Sequence, residues 1–258
     1  MKTLKMLFKQ DKEVFVVPKC VQDIIPVNKI WQDGVFQVGK NKFSKCYRFT
    51  DINYAVASRA DKEAMFLEYS ELLNSFDTGA TTKITILNRR LNKVDFEKNI
   101  LLPLAEDNLD EYRKEYNKML LDKGTGANGI TQEKFLTISV NKKSVEEARN
   151  YFGRIGADLS AHCSQLGSKC IELDAVDRLR MFHDFYRAGE ENSFTFDFIQ
   201  NMRKGHSFKD FISPDTMEFE SDYFKMGNKY GRVIFLKEYA SYIKDNMVAE
   251  LTDLNRNM

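Results

Sequence analysis

The segment Glu172–Gly189 (ELDAVDRLRMFHDFYRAG) constrains the fold most, because it predicts a complete helix together with the residues that begin and end it. Asp174 is a good N-cap, since its side-chain oxygen can accept a hydrogen bond from an amide of the first turn, and Asp177 suits the positive end of the helix dipole. Gly189 is a natural residue to end the helix. One apolar stripe recurs at helical spacing: Val176, Leu179, Phe182 and Tyr186, widened by Ala175 and Phe185. The segment is therefore predicted to be an amphipathic helix with one buried face.

Short strands alternate with one-sided helices along the rest of the chain. Strands are predicted at Val35–Val38, Phe43–Phe49, Thr81–Asn88, Lys134–Val140, Ser168–Leu173, Tyr223–Met226 and Arg232–Lys237. Helices are predicted at Asp61–Phe76, Val94–Leu102, Asn108–Lys123, Ser144–Ser164, Ser193–Arg203 and Tyr239–Leu254. A turn at 39–41 joins the first two strands into a hairpin, Gly227-Asn228 joins the last two, and Gly124, Gly126 and Gly129 mark a loop.

This order of elements predicts an α+β fold, in which amphipathic helices cover a mainly antiparallel sheet. The two halves, residues 1–128 and 129–258, each read strand, helix, strand, helix, so we expect two lobes, and ferredoxin-like lobes are one way to build them. A low-complexity linker between the halves is missing from the sequence. The expectation is therefore a single domain with two lobes.

Composition narrows the class of protein. Hydrophobic residues make up 43% of the 258 and charged residues 30%, which argues against wholesale disorder. Lys and Arg number 39 against 38 acids, so the net charge of +1 supplies no overall field to attract nucleic acid or an anionic membrane. The longest apolar run, about Ile100–Ala105, is far shorter than the ~20 residues of a membrane span. The four cysteines lack a disulfide-framework spacing, which indicates reduced thiols in the cytosol.

Three segments of the chain resemble one protein family. Glu172–Gly189 is similar to the element L-D-x-V-x-R-L-x-x-x-x-D-F-x-R of the large traffic ATPases of conjugative type IV secretion systems, the CagE/TrbE/VirB family. Trp31–Tyr54 (WQDGVFQVGKNKFSKCYRFTDINY) is similar to the start of those proteins in their Gram-positive, conjugative-transposon branch. Phe66–Arg90 also resembles it, with FLEYSELLNSF before a loop and TTKITILNRR after it. The resemblance runs through nearly the whole chain.

The resemblance implies that residues 1–258 are an N-terminal, non-catalytic domain of a larger conjugal-transfer ATPase. Such a domain would dock the motor to membrane channel subunits, contact its own motor domain and support a homo-oligomer. It would lie in the cytoplasm, peripherally at the inner face of the cell membrane. Catalytic, cofactor-binding and metal-binding residues are not expected in this chain, because ATP and Mg²⁺ would bind in the motor domain.

Two glycine-rich patterns bear on nucleotide binding. A P-loop, G-x-x-x-x-G-K-[ST], would cradle a triphosphate with backbone amides and a lysine, and the 258 residues contain none. The chain as given is therefore not expected to hydrolyse ATP. Residues 124–129 (GTGANG) match G-x-G-x-x-G, but they follow a predicted helix and lead into a predicted strand. A dinucleotide site needs the reverse order, so we interpret them as a loop.

Two further patterns suggest catalysis or metal binding. Residues 77–80 (DTGA) spell an aspartic-protease motif, but they follow a strong helical pattern instead of a strand, so a helix-to-strand turn explains them better. His162, Cys163, Cys170 and His183 could be pictured as a metal site. Because adjacent residues of a helix point about 100° apart, we favour a core cysteine and partly exposed imidazoles.

The alternative function is a stand-alone binding module for single-stranded nucleic acid or a protein partner. Its nucleic-acid form would use the basic run Lys40–Lys45, interleaved with Phe43 and Tyr47. Further basic groups occur at Arg89-Arg90 and Arg178–Arg187, although solvated faces explain such groups better in a balanced chain. Nucleic acid is therefore not the expected partner. Trp31 is a candidate interface anchor, against the alternative of a buried structural tryptophan.

Overall fold

The computed structural model describes residues 18–54, 56–90, 98, 100–126, 130–238 and 241–242. Within them the α-helices are α1 (Val21–Ile24), α2 (Arg59–Asn74), α3 (Asp110–Gly126), α4 (Val145–Gln165), α5 (Ala175–Tyr186) and α6 (Phe198–Lys204). The strands are β1 (Lys29–Ile30), β2 (Phe36–Gln37), β3 (Lys42–Phe49), β4 (Thr81–Arg90), β5 (Ile130–Asn141), β6 (Cys170–Glu172), β7 (Met217–Phe219), β8 (Phe224–Met226) and β9 (Lys229–Gly231). The predicted α+β class is confirmed.

The main sheet draws its strands from both halves of the chain. Its order is β1-β2-β3-β5-β4, every pairing is antiparallel, and β6 adds to the end of β3 beyond β2. β5 pairs with the whole length of β3, from Lys42 to Phe49, and with β4 up to the register Arg90↔Ile130. The sheet therefore does not divide at residues 128 and 129, where the lobes were expected to meet. β5 pairs with strands that lie far from it in the sequence. No local sequence pattern could therefore have shown that one sheet spans the expected boundary between the lobes.

Helix α4 covers this sheet and supplies six of the thirteen buried residues of the main core. Ser144 caps the helix, because the amide of Glu147 donates to its hydroxyl oxygen over 3.3 Å. The buried face of this helix follows a near-heptad spacing through Ala148, Phe152, Ile155, Leu159 and Cys163, with Tyr151 beside it. Those side chains pack against Tyr47, Ile138 and Leu136 of the sheet. The Tyr47 hydroxyl also donates to the Phe152 carbonyl over 3.3 Å, which ties the strand to the helix.

Helix α5 begins and ends close to its predicted limits. The amide of Asp177 donates to the Asp174 carboxylate over 2.8 Å, which confirms the predicted N-cap. The helix ends at Tyr186, and Gly189 follows with a positive φ of 99°. Leu179 is fully buried in a second core cluster with Phe36 and Ile212. The first hairpin, predicted around residues 39–41, is confirmed as β2 and β3.

Several predicted limits are wrong. In place of one helix over Ser193–Arg203, the chain forms a 3-10 helix at Glu191–Ser193, an irregular stretch, and then α6. The last strand of the second hairpin is β9 and not Arg232–Lys237. The turn at Gly227 is tight, so the residues directly after it pair with β8.

The glycine-rich loop begins later than expected, because α3 continues to Gly126. Residues 127–129 lie outside the described part of the chain. So do most of the residues predicted as helices at Val94–Leu102 and Tyr239–Leu254.

The buried guanidinium of Arg178 joins α5 to the first hairpin. Its Nη1 donates to the carbonyls of Gly34 over 2.7 Å and Ser44 over 2.8 Å, and its Nη2 donates to the Ser44 hydroxyl over 3.1 Å. The guanidinium carbon also lies 3.9 Å from the centre of the Phe36 ring. Burial lowers the pKa of Arg178 to about 10, which leaves the side chain charged at neutral pH.

Replacing this guanidinium should destabilise the fold. We expect Arg178→Met to lower the free energy of unfolding by about 2–4 kcal/mol, since two buried carbonyls lose their donors at a cost of about 1–3 kcal/mol each. Arg180→Met is the matched control, because Arg180 is exposed on the same helix, and it should change the value by less than about 0.5 kcal/mol. Urea denaturation measures both variants. Equal destabilisation by the two substitutions would contradict the assigned role of Arg178.

Candidate partner-binding surfaces

Helix α3 belongs to the long connection between the paired strands β4 and β5. β4 and β5 stay paired up to Arg90↔Ile130, and α3 belongs to the part of the chain between these two paired ends. The segment before α3 is bound to the helix by side-chain hydrogen bonds. The Asn117 amide both accepts from the Leu102 amide and donates to the Leu102 carbonyl, each over 2.8 Å. The connection therefore carries an ordered helix.

The apolar stripe of α3 faces solvent. Its members are 41–70% exposed: Tyr112, Tyr116 and Met119 within the helix and Leu109 directly before it. No side chain of residues 110–123, the described side chains of the helix, is buried. Amphipathic helices of globular proteins normally bury such a stripe against a core. Contiguous exposed apolar surface of this kind marks an interaction site, so this stripe is the first candidate surface.

A second apolar surface lies where α2 meets the sheet. A cavity of about 200 Å³ opens between α2, β4 and the C-terminal part of α4, lined mainly by apolar side chains that include Tyr69, Leu73, Phe76, Ile84 and Leu159. Of the residues of α2, only Leu72 is buried, and Phe66 and Leu67 project into solvent. Apolar concave surfaces of this kind accept apolar side chains or ligands. The cavity is therefore a second candidate surface, continuous with the outer face of α2.

The residues pictured as a metal site do not come together. The Cys163 and Cys170 thiols hydrogen-bond to each other beside the cavity, and this bond is the main reason why the pKa of Cys170 is raised. His162 Nδ1 instead lies 2.5 Å from the Glu68 carboxylate. His183 is only 2% exposed, and its ring lies 3.3 Å from the Ser193 hydroxyl. The expectation of a partly exposed ring is therefore wrong for this residue. Across the described residues, no cluster of three or more His, Cys, Asp or Glu side chains could hold a metal ion.

The DTGA motif is a turn between a helix and a strand, as interpreted from the sequence. α2 ends at Asn74, and the amide of Ala80 donates to the Asp77 carbonyl over 2.9 Å just before β4 begins. The Asp77 carboxylate is exposed and accepts a hydrogen bond from Arg154 over 3.1 Å. Residues 124–126 of the other glycine pattern form the end of α3, which precedes β5, so the predicted order of helix before strand holds.

The hairpin proposed for nucleic acid cannot present its aromatic rings. Phe43 and Tyr47 are buried in the main core, so stacking of bases on these two rings is ruled out. Lys45 is also buried and forms an ion pair with Glu172, and its burial lowers its pKa. Trp31 is half-buried against Phe43, with ring centres 6.0 Å apart, which fits a structural role. The side chains of Arg89 and Arg90 lie outside the described part of the chain.

Most residues of the α5 sequence element have structural contacts. Leu173, Leu179 and Asp184 are buried, and Arg178 makes the contacts described above. Arg187 binds the Ser213 carbonyl over 2.8 Å and the Asp215 carboxylate over 2.6 Å. Phe185 differs from them, because its side chain is 48% exposed and contacts Tyr186 edge-on. This helix is therefore chiefly a structural element, with one exposed aromatic ring.

Comparison with known proteins identifies no relative: no protein-family model matches the chain, and no curated protein is significantly similar to it. Among the described residues, no helix combines the length and the hydrophobicity needed to cross a lipid bilayer.

The stripe of α3 should contribute little to folding. We expect the double substitution Tyr112→Ser, Tyr116→Ser to change the free energy of unfolding by less than about 0.5 kcal/mol per site, because both rings are exposed. Phe152→Ala, in the core under the sheet, should cost about 3–5 kcal/mol. Chemical denaturation of the three proteins makes the comparison. A large loss of stability in the tyrosine variant would show that the stripe is part of the folded core.

Proposed function

We propose that this chain is the non-catalytic N-terminal domain of a conjugal-transfer ATPase of a type IV secretion system. In this role it docks the ATP-driven motor to membrane channel subunits at the inner face of the cell membrane and helps the motor to oligomerise. The domain itself recognises partners and transmits movement. The motor domain, which would bind ATP and Mg²⁺, lies outside these 258 residues in this proposal.

The single observation that carries the docking role is the unpartnered apolar stripe of α3. A folded domain normally buries an amphipathic helix, because exposed apolar surface costs about 25 cal/mol per Å² relative to buried surface. Here the stripe extends from the end of the β4–β5 hairpin, where another protein can reach it without rearrangement of the core. A binding role explains why this surface stays exposed.

The identity of the parent protein is supported by the sequence element of α5 and by the two N-terminal segments that resemble the same family. In the structure, Trp31–Tyr54 and α5 meet through Arg178, which binds carbonyls of Gly34 and Ser44. Two of the resembling segments therefore form one structural unit. This contact supports the proposal without identifying the protein.

The second candidate function is a stand-alone module that binds a protein partner. The same exposed stripe favours it, and it differs from the first only in lacking a motor. The nucleic-acid version loses its main support, because the rings of Phe43 and Tyr47 are buried.

The mass and location of the endogenous protein distinguish the two. We expect an antibody raised against this chain to detect a species far above 30.0 kDa in membrane fractions of the source cell, and its sequence to contain a P-loop after residue 258. High salt should release the species from the membranes if the attachment is peripheral. A species of 30.0 kDa would overturn the motor-domain proposal and leave the stand-alone module.

A further inference from the structure

We propose that Cys163 and Cys170 form a disulfide when the chain meets a hydroperoxide, and that low-molecular-weight thiols reverse the reaction. Both residues lie in the wall of the apolar cavity between α2, β4 and the C-terminal part of α4. The bond would join the end of α4 to β6. It does not depend on what the parent protein does, so it goes beyond the proposed function.

The chain reverses direction between the two cysteines. Cys163 lies in the last turn of α4, and Cys170 is the first residue of β6. The turn between them is held by the Ser168 amide, which donates to the Cys163 carbonyl over 2.8 Å. The Lys169 amide donates to the Thr50 hydroxyl oxygen over 2.9 Å, which fixes the start of β6 beside the end of β3. Hydrogen bonds of the backbone amides therefore hold both cysteines in place.

Both side chains lie on the same side of the sheet. Cys170 is paired with Phe49 in the register of β3 and β6, and residues that pair directly share a face. Phe49 and Cys170 both pack against the core cluster to which Cys163 belongs. The two thiols hydrogen-bond to each other there. Because disulfide sulfurs lie about 2.05 Å apart, a short approach of these two sulfurs completes the bond.

The other two cysteines lie apart from this pair. Cys46 belongs to a separate core cluster on the face of the sheet opposite α4, because its neighbour in β3 faces α4 and adjacent residues of a strand point to opposite faces. There its sulfur accepts a hydrogen bond from the Thr137 hydroxyl over 3.4 Å. Cys20 is exposed at the start of α1. Cys163 and Cys170 are therefore the two cysteines that can be joined without rearrangement of the sheet.

The hydrogen bond gives the two thiols different reactivity. The Cys170 thiol donates to the Cys163 sulfur, which lowers the pKa of Cys163, and the neighbouring His162 acts in the same direction. The same bond raises the pKa of Cys170, and burial raises it further. Because the thiolate is the nucleophile, Cys163 reacts first with an oxidant, and Cys170 resolves the product.

The cavity gives a small oxidant access to both sulfurs. Its volume is about 200 Å³, and both cysteines line it. A water molecule occupies about 30 Å³ in the liquid, so the cavity has room for hydrogen peroxide, which is only slightly larger than water. Cys163 is therefore reachable through the cavity, although its side chain is buried in the core.

The reaction is a two-electron oxidation of the thiol pair. The Cys163 thiolate attacks one oxygen of hydrogen peroxide, so that an S–O bond forms, the O–O bond breaks and hydroxide leaves. This hydroxide takes the proton of the Cys170 thiol and becomes water. The Cys170 thiolate then attacks the Cys163 sulfur, which forms the S–S bond and expels a second hydroxide. The second hydroxide takes up the proton that Cys163 released at the start, so two thiols and one peroxide give one disulfide and two waters.

Peptide mapping of the purified 258-residue chain tests the proposal. The reduced chain is treated with a small excess of hydrogen peroxide, and its remaining thiols are alkylated in urea. Trypsin cuts after Lys169, between the two cysteines, so a linked pair of peptides identifies the bond. We expect that linked pair, and a loss of about 2 Da from the mass of the intact chain before alkylation. Dithiothreitol should restore both thiols, and Cys20 should remain open to alkylation although it is exposed.

Single substitutions separate the roles of the two thiols. Cys170→Ser should leave Cys163 as a sulfenic acid that dimedone traps. Cys163→Ser should slow the oxidation of Cys170 at least about tenfold, because the thiol with the lower pKa is gone. Cys46→Ala is the matched control, a buried cysteine outside the pair, and it should form the disulfide as fast as the unmodified chain. Circular dichroism checks that each variant is folded, and peptide mapping of the unmodified chain decides the proposal if a variant is not.

Three results would overturn the proposal. One is the absence of the linked peptides after treatment of the folded chain with peroxide. Another is earlier oxidation of Cys20, for example to a disulfide between two chains, and the third is a disulfide that involves Cys46. All three are observed on the purified chain, whereas the proposed function is decided by the mass of the endogenous protein, so the failure of one is distinguishable from the failure of the other.

Discussion

The buried guanidinium of Arg178 is the interaction on which the arrangement of α5 and the first hairpin depends. A charged group so deeply buried normally needs partners, and Arg178 is held by backbone carbonyls of Gly34 and Ser44 and by the face of Phe36. Gly34 has a positive φ of 78°, and a Cβ at this position would lie 2.0 Å from the Leu173 carbonyl oxygen. The hairpin can therefore approach the start of α5 only with glycine there, and this close approach brings the carbonyls within reach of the guanidinium.

The elements around this contact are joined by many side-chain contacts, whereas the elements on the other side of the sheet order expose apolar side chains. Around β1–β3, α4 and α5, polar side chains join elements distant in the sequence, as Arg149 does when it binds Asp33 over 2.6 Å. Around β4, α2 and α3, apolar side chains such as Phe66, Ile84 and Tyr112 project outward. These outward-facing apolar side chains are the surface on which the proposed partner-binding role rests.

Local patterns predicted the helices best. Asp174 and Ser144 were readable as N-caps or helix starts, and the stripes of α4 and α5 follow from 3.6-residue periodicity. The pairing of β5 with both β3 and β4 was not predictable in the same way, because strand order depends on contacts far apart in the sequence. Burial of His183 and Arg178 was also missed, since each is a polar residue whose partners come from other segments.

The sequence predicts the apolar side of α3 but not its exposure to solvent. The stripe of α3 could be found from its spacing, but a stripe facing the core and a stripe facing solvent have the same pattern. Its exposure became evident only from the structure, in which the four side chains of the stripe are 41–70% exposed.

Site-specific photo-crosslinking in the source cell tests the central claim most directly. A photoreactive phenylalanine analogue would replace Tyr112, which is 70% exposed on the stripe, or Tyr230, which is 71% exposed on β9 and serves as the control. The account predicts that the Tyr112 position crosslinks to a membrane protein and that the Tyr230 position does not. Crosslinks from both positions to the same proteins, or none to a membrane protein from Tyr112, would contradict it.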